Sequence, residues 1–356
     1  MLGTFLNAGN PPRLRPLALA LLATLLGAGC SSDNAAPVDL SDAPDAPVVG
    51  SPADTAAPVD STATVLAAVT YTGIPFGPVG LWTMNKLNWG PSPFTGSQNY
   101  INADTLILQI NAARNKGQRL MVAMTGGPST RYTTNGQFDM TKWKSTMNTY
   151  NKTALKNAVA AAVADGTIIG NQMIDEPETK RWGTVLTKAM LDQMAAYLKA
   201  IFPTLPVGLN HGPPGYTWRA SERYTKVDYV LYQYNHYISS GNLVAWRDAV
   251  LAQAKRDGVK PALSLNILNG GMQDWGEDGT YNCTGTGQGG LGTRFPNCRM
   301  TSDQLRNWGK ALTPYACFMM MWKFDAGYMS KSANLLAFKD IAALAASKPR
   351  PSCKRV

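Results

Sequence analysis

The sequence predicts a single (β/α)8 barrel of the TIM type, and three observations carry the prediction. Short β-rich runs alternate with amphipathic helical stretches along residues 65–356. Strand followed by helix, repeated this often, argues for a parallel sheet. The region holds about 290 residues, which is large for one core unless the sheet closes on itself. A doubly wound open sheet is the alternative. However, the first strand is not followed by a glycine-rich nucleotide fingerprint, and "TGGPST" at 125–130 lacks both the Walker lysine and the dinucleotide glycine spacing.

In chain order, strands are expected at Gly77–Met84, Arg119–Thr125, Ile168–Ile174, Pro206–Asn210, Asp228–Tyr234, Pro261–Ile267 and Ala316–Phe324. Each is a short apolar or β-branched run bounded by turn residues. An eighth strand is expected either in Thr64–Thr70 or within the irregular stretch Asn85–Asn99. Helices are expected at Ala103–Lys116, Thr141–Ala164, Leu186–Phe202, Leu243–Asp257, Ser302–Leu312 and Ala333–Ala346. Loops at 126–136 and 270–297 follow strand ends. The run "CFMMMW" at 317–322 reads as a buried strand.

The barrel is preceded by two segments of different character. In residues 1–30, Arg13 and Arg15 precede a ten-residue apolar core, "LALALLATLL", and then Gly27-Ala28-Gly29-Cys30. This is the layout of an export signal, and the core is too short to span a bilayer. Ending on Cys30, it resembles the lipobox of bacterial lipoproteins, with Leu26 one place further from the cysteine than usual. The resemblance implies cleavage before Cys30, lipidation of its thiol and a membrane anchor. Residues 31–64 are rich in Pro, Ala, Asp and Ser and contain no aromatic residue, the composition of a disordered spacer. Beyond residue 64 the chain carries 31 basic against 17 acidic side chains, a net +14. That charge favours an anionic partner such as an acidic glycan, but the basic residues form no run of the kind that grips nucleic acid. With Cys30 assigned to lipid, an even set remains. Cys283 with Cys298 and Cys317 with Cys353 are the expected disulfides of an exported chain. Two histidines and no zinc-like spacing predict no metal site, and no cofactor is expected.

Barrel active sites lie at the C-terminal ends of the strands, so the residues where apolar runs stop are the candidates. These ends supply Trp82, Asp175 with Glu176, Asn210 with His211, Tyr232, Gln233, Tyr234 and His236, Asn266, and Trp322 with Asp325. Aromatic faces mixed with amides, imidazoles and carboxylates suit a sugar, whose ring stacks and whose hydroxyls need polar partners. A serine hydrolase is disfavoured, because "GGPSTRY" is not a nucleophile elbow.

Asp175-Glu176-Pro177 ends what reads as the fourth barrel strand, and Trp322 lies on the last. In these positions the chain resembles the clan A glycoside hydrolases over roughly residues 75–345. The resemblance implies that Glu176 is the general acid and that Trp322 is a sugar platform. A helix start is the competing reading, with Asp175 as N-cap and Pro177 in the first turn. The family's nucleophilic glutamate follows the seventh strand, where this chain has Asn266 and Asn269. An amide cannot serve in that role. Asp325, or Asp274 or Glu277 in the following loop, is then the expected second carboxylate; Asp325 could also pair with a cation such as Lys323. The expected function is hydrolysis of a glycosidic bond in an oligo- or polysaccharide. The alternative is a non-catalytic glycan-binding lipoprotein on a degenerate barrel. The expected protein is a monomer in the bacterial envelope, lipid-anchored, or outside the cell.

Overall fold

The computed structural model describes residues 71–81, 92–125, 129–183, 186–212, 215–236, 239, 241–268 and 299–355. Cys30, Trp82, Asn269, Asp274, Glu277, Cys283 and Cys298 lie outside the described residues. Eight parallel strands form one sheet. In chain order they are β1 (Phe76–Pro78), β2 (Gly96–Tyr100), β3 (Arg119–Ala123), β6 (Ile168–Asp175), β7 (Val207–His211), β8 (Tyr229–Tyr234), β9 (Lys260–Asn266) and β10 (Met319–Trp322). A two-stranded hairpin, β4 (Thr133–Thr134) and β5 (Gln137–Phe138), lies in the loop after β3. The sheet order is β1-β10-β9-β8-β7-β6-β3-β2. Val79 bridges Gln98 in parallel and the Gly80 N–H donates to the Gln98 carbonyl at 2.9 Å, which joins β1 to β2 and closes the ring. The structure is the expected (β/α)8 barrel. Closure requires glycine at position 77, where an added Cβ would sit 1.8 Å from the Gly96 carbonyl oxygen.

The eighth strand, β2, overlaps the end of the Asn85–Asn99 alternative. Its sequence, GSQNY, has no apolar periodicity, yet Ser97, Gln98 and Asn99 are buried. Buried polar side chains on both faces, Gln98 inside the barrel and Ser97 and Asn99 toward the helix layer, mask this strand from a hydrophobicity reading.

The helices are α1 (Leu106–Asn115), α2 (Met140–Asn148), α3 (Thr153–Asp165), α4 (Lys188–Ile201), α5 (Leu243–Asp257), α6 (Ser302–Leu312), the short α7 (Ala326–Met329) and α8 (Ser332–Ala346). Local capping fixes several ends. The Asp139 side chain accepts from Thr141 and Lys142 N–H at the start of α2, and Thr301 with Gln304 forms a capping box on α6. Gly258 ends α5 with φ +65°. The single helix expected over Thr141–Ala164 is two. Tyr150 lies in the break, buried, with its hydroxyl donating to the Ile101 carbonyl at 2.6 Å. That tertiary anchor outweighs helix continuity through Asn148, Thr149 and Asn151, all weak helix formers.

Two apolar layers result. The larger packs the outer strand faces against the helices. The smaller fills the barrel with Val79, Met121, Ile169, Tyr229, Leu231, Ala262, Phe318 and Met320. Cys353 belongs to this inner layer and is bonded to Cys317, 36 residues earlier. The C-terminal tail therefore crosses the floor of the barrel. The Arg355 N–H donates to Asp228 at 3.2 Å and its guanidinium to the Tyr224 carbonyl at 2.8 Å. Among the described residues no helix is long and apolar enough to cross a membrane.

Candidate active site

A chain of amides climbs the barrel interior to the end of β6. Gln98 Nε2 donates to the Gln172 side-chain Oε1. Gln172 Nε2 donates to Asp175 Oδ1 at 3.1 Å, and Asn210 Nδ2 donates to the same oxygen at 2.5 Å. Gln233 Nε2 supports Asn210 by donating to its Oδ1 at 3.1 Å. Arg181 NH1 holds Asp175 Oδ2 at 3.0 Å. Burial pushes the Asp175 carboxyl up, against the Asn210 hydrogen bond and the Arg181 charge. Asp175 is thus a fastened group that ties β6 to β7 and to the following loop.

Asp175 reaches the interior because β6 is irregular. Gln172 pairs with Gly208, but the next partners are Asp175 and Asn210, one residue more on β6 than on β7. Such a bulge re-aims the strand end. Glu176 then takes φ +44°, a left-handed conformation that a non-glycine residue adopts at a cost. Its N–H donates to the Asn210 carbonyl at 2.8 Å and its own carbonyl accepts from Thr179, so the backbone on both sides is held. Asp175 and Pro177 start no α-helix here; a turn and a short 3₁₀ segment, Lys180–Trp182, follow.

The Glu176 side chain is half-buried, and among the described residues its carboxyl makes no hydrogen bond. Burial pushes its pKa up to about 7, with the neighbouring charges of Asp175 and Glu178 adding and Arg181 opposing. Glu178 is the residue that strand-end reasoning missed. Its Oε1 accepts from the Gly212 N–H at 2.6 Å and its Oε2 lies 2.8 Å from His211 Nδ1. A Cβ on Gly212 would lie 3.1 Å from Glu176 Oε1 and 3.2 Å from Glu178 Oε1. Both carboxyls therefore crowd one spot, kept open by the absence of a side chain at 212. The signal was present as two glutamates flanking Pro177 in "DEPE" and a glycine after "NH" on the next strand.

The other expected residues divide by strand parity. Gln233 shares a row with Ser264 and Trp322 shares one with Asn266, all on the interior side of the sheet. Among the described residues, the buried Asn266 Oδ1 and Ser264 Oγ have no hydrogen-bond partner. Trp322 is half-buried and packs on the inner apolar layer; its peptide bond to Lys323 is cis. Tyr232 and Tyr234 take the opposite parity and point into the helix layer instead of the mouth. Tyr232 stacks on His211 at 5.9 Å, and Tyr234 packs against Trp246 of α5 and Trp308 of α6. His236 accompanies Tyr234, with Nδ1 2.9 Å from its hydroxyl and its ring stacked on Trp308 at 5.1 Å. His211 stands behind the site and braces Glu178. Asp325 caps α7, accepting from the Tyr328 N–H at 2.7 Å, and among the described residues no salt bridge joins it to Lys323.

No protein-family model matches this chain, and no curated protein does. Solved structures with a similar fold include an endo-1,4-β-mannanase from Rhizomucor miehei, at 11% identity over 78% of this chain and 96% of that one, with a TM-score of 0.48. Xylanase A of P. fluorescens subsp. cellulosa overlays with a TM-score of 0.47 at 11% identity, covering 80% of this chain and all of that one. A putative α-L-fucosidase from Bacteroides thetaiotaomicron gives 0.43 at 12% identity, over 82% and 100%. Likeness of this degree transfers no residue role; the barrel stands on its own closed strand order.

Proposed function

We propose that this chain is an exported glycoside hydrolase, tethered through a lipid on Cys30, in which Glu176 protonates the leaving oxygen of a glycosidic bond. The observation that carries the reading is the state of Glu176. Its carboxyl sits at the C-terminal mouth of a barrel, free of hydrogen bonds among the described residues, with a pKa raised to about 7. A carboxylic acid in that state gives up a proton near neutral pH. The Asp175 network fixes the strand end from which the acid projects. The charges of Asp175 and Glu178 also favour recapture of a proton from water after each turnover. Water attack falls to a second carboxylate, Asp325 or the loop residues Asp274 and Glu277.

A screen of oligo- and polysaccharides with the native chain tests the assignment. Glu176→Gln is expected to lower turnover by about 10² to 10⁴; equal turnover by both proteins would sink it. Cys30→Ser is expected to shift the protein from the membrane to the soluble fraction of its host. Unchanged fractionation would remove the anchor. The binding-only alternative has one specific support: β9 ends in Asn266, and Asp325 is engaged as a helix cap. It predicts glycan affinity with no turnover in either protein.

A further inference from the structure

At the ends of β2 and β3, the rim of the barrel carries a cleft of about 640 Å³, within the range of small-ligand sites. It is lined by Tyr100 and Asn102 after β2, Met124 after β3, Arg131, and Thr149 and Lys152 at the α2–α3 break. Tyr100 joins it to the catalytic end. In the strand register Tyr100 lies beside Ala123, and Ala123 beside Gln172, whose amide holds Asp175. The Tyr100 phenol is close enough to Asp175 and Glu176 to be affected by both charges. It is 47% exposed, whereas Tyr229, Tyr232 and Tyr234 on β8 are buried. An exposed aromatic face at a strand end is a surface on which a sugar ring can stack.

The cleft is cationic. Arg131 and Lys152 face one acidic lining residue, Asp104, in a chain of net charge +10. Lys152 and Asp104 meet only at 3.7 Å with both side chains exposed, a weak pair that an entering anion can displace. Arg131 follows from a short 3₁₀ turn, Ser129–Tyr132, whose last residue is buried, so its backbone is anchored. A guanidinium offers a carboxylate two parallel hydrogen bonds.

We propose that this cleft is a subsite for a carboxylated sugar, with Tyr100 stacking on the ring nearest Glu176 and Arg131 with Lys152 holding the carboxylate. The assignment rests on the glycosidase reading of Glu176 and narrows its substrate to acidic glycans.

The test uses the full chain carrying Glu176→Gln, so that ligands persist. Calorimetry measures its affinity for oligogalacturonate, oligomannuronate and glucuronate-bearing xylo-oligosaccharides, each beside the same compound with its carboxyls reduced to alcohols. At least one acidic form is expected to bind about tenfold or more tightly than its reduced counterpart. Arg131→Gln removes most of that preference. Tyr100→Ala weakens both forms and Tyr100→Phe restores them. Equal affinity for every acidic and reduced pair, or a preference untouched by Arg131→Gln, overturns the subsite. The two readings separate. Turnover of neutral glycans by the native chain without any acidic preference removes the subsite and keeps the hydrolase. An Arg131-dependent acidic preference with no turnover by the native chain keeps the subsite and removes the hydrolase.

Discussion

Glu176 and Glu178 show how two identical side chains, two residues apart, acquire different roles. Glu178 is fastened by the Gly212 N–H, which donates to its Oε1 at 2.6 Å, and by His211, whose Nδ1 lies 2.8 Å from its Oε2. Glu176 has neither, and meets burial and two like charges. The sign of the pH effect follows. A general acid works only while protonated, so under the proposed role of Glu176 activity is expected to fall as pH rises through its pKa, near 7. Glu178→Gln removes one charge that holds this pKa up. The alkaline limb of the kcat/KM profile is therefore expected to move to lower pH, while the peak rate stays within about tenfold of native. A pH-rate series checks it, and an alkaline limb that stays in place or moves up would contradict the coupling. The sequence placed Glu176 at a strand end through "DEPE". It did not disclose Glu178, because a side chain's role here depends on Gly212 arriving from another strand.

At the scale of elements, the barrel ties α4 and α5 together with a buried ion pair. Lys188 Nζ contacts both oxygens of Asp257 at 2.8 and 2.9 Å, donates to the Glu222 carbonyl at 2.9 Å, and lies over the Tyr224 ring. Asp257→Asn leaves a buried ammonium without its counter-charge and is expected to cost about 3–5 kcal/mol. The double variant Lys188→Met, Asp257→Leu is expected to cost much less, since neither charge remains. Urea unfolding of both proteins measures the difference; equal losses would show that packing, not charge, sets the cost. Neither partner was legible as a pair in the sequence, where they stand 69 residues apart at the ends of two helices. The helices themselves were legible from their apolar spacing. The break at Tyr150 was not, because it answers to the Ile101 and Met124 carbonyls on other segments.

For the whole molecule, the C-terminal tail acts as a floor that the alternating strands and helices do not provide. The Cys317–Cys353 bond closes a segment of 36 residues and buries Cys353 among the inner side chains. Chain-entropy reasoning gives such a link about 4 kcal/mol. The Cys317→Ser, Cys353→Ser variant is expected to show a clear loss of Tm in thermal unfolding, while the native protein loses a similar amount on reduction. No change in Tm on either treatment would show that packing of the tail alone holds the floor.

The sequence by itself determined the class of fold, the position of most strands and helices and the Cys317–Cys353 pairing. These follow from local chemistry: periodicity of apolar residues, turn residues at element ends, and an even set of four cysteines beyond residue 64. Only the tertiary structure decided which side chains share the mouth. Strand parity turned Tyr232 and Tyr234 into the helix layer, and a one-residue bulge in β6 carried Asp175 inward. It also set Glu178 beside Glu176 and left Tyr100 exposed over a basic cleft. Register and bulges are agreed between neighbouring strands, so no single strand's residues contain them.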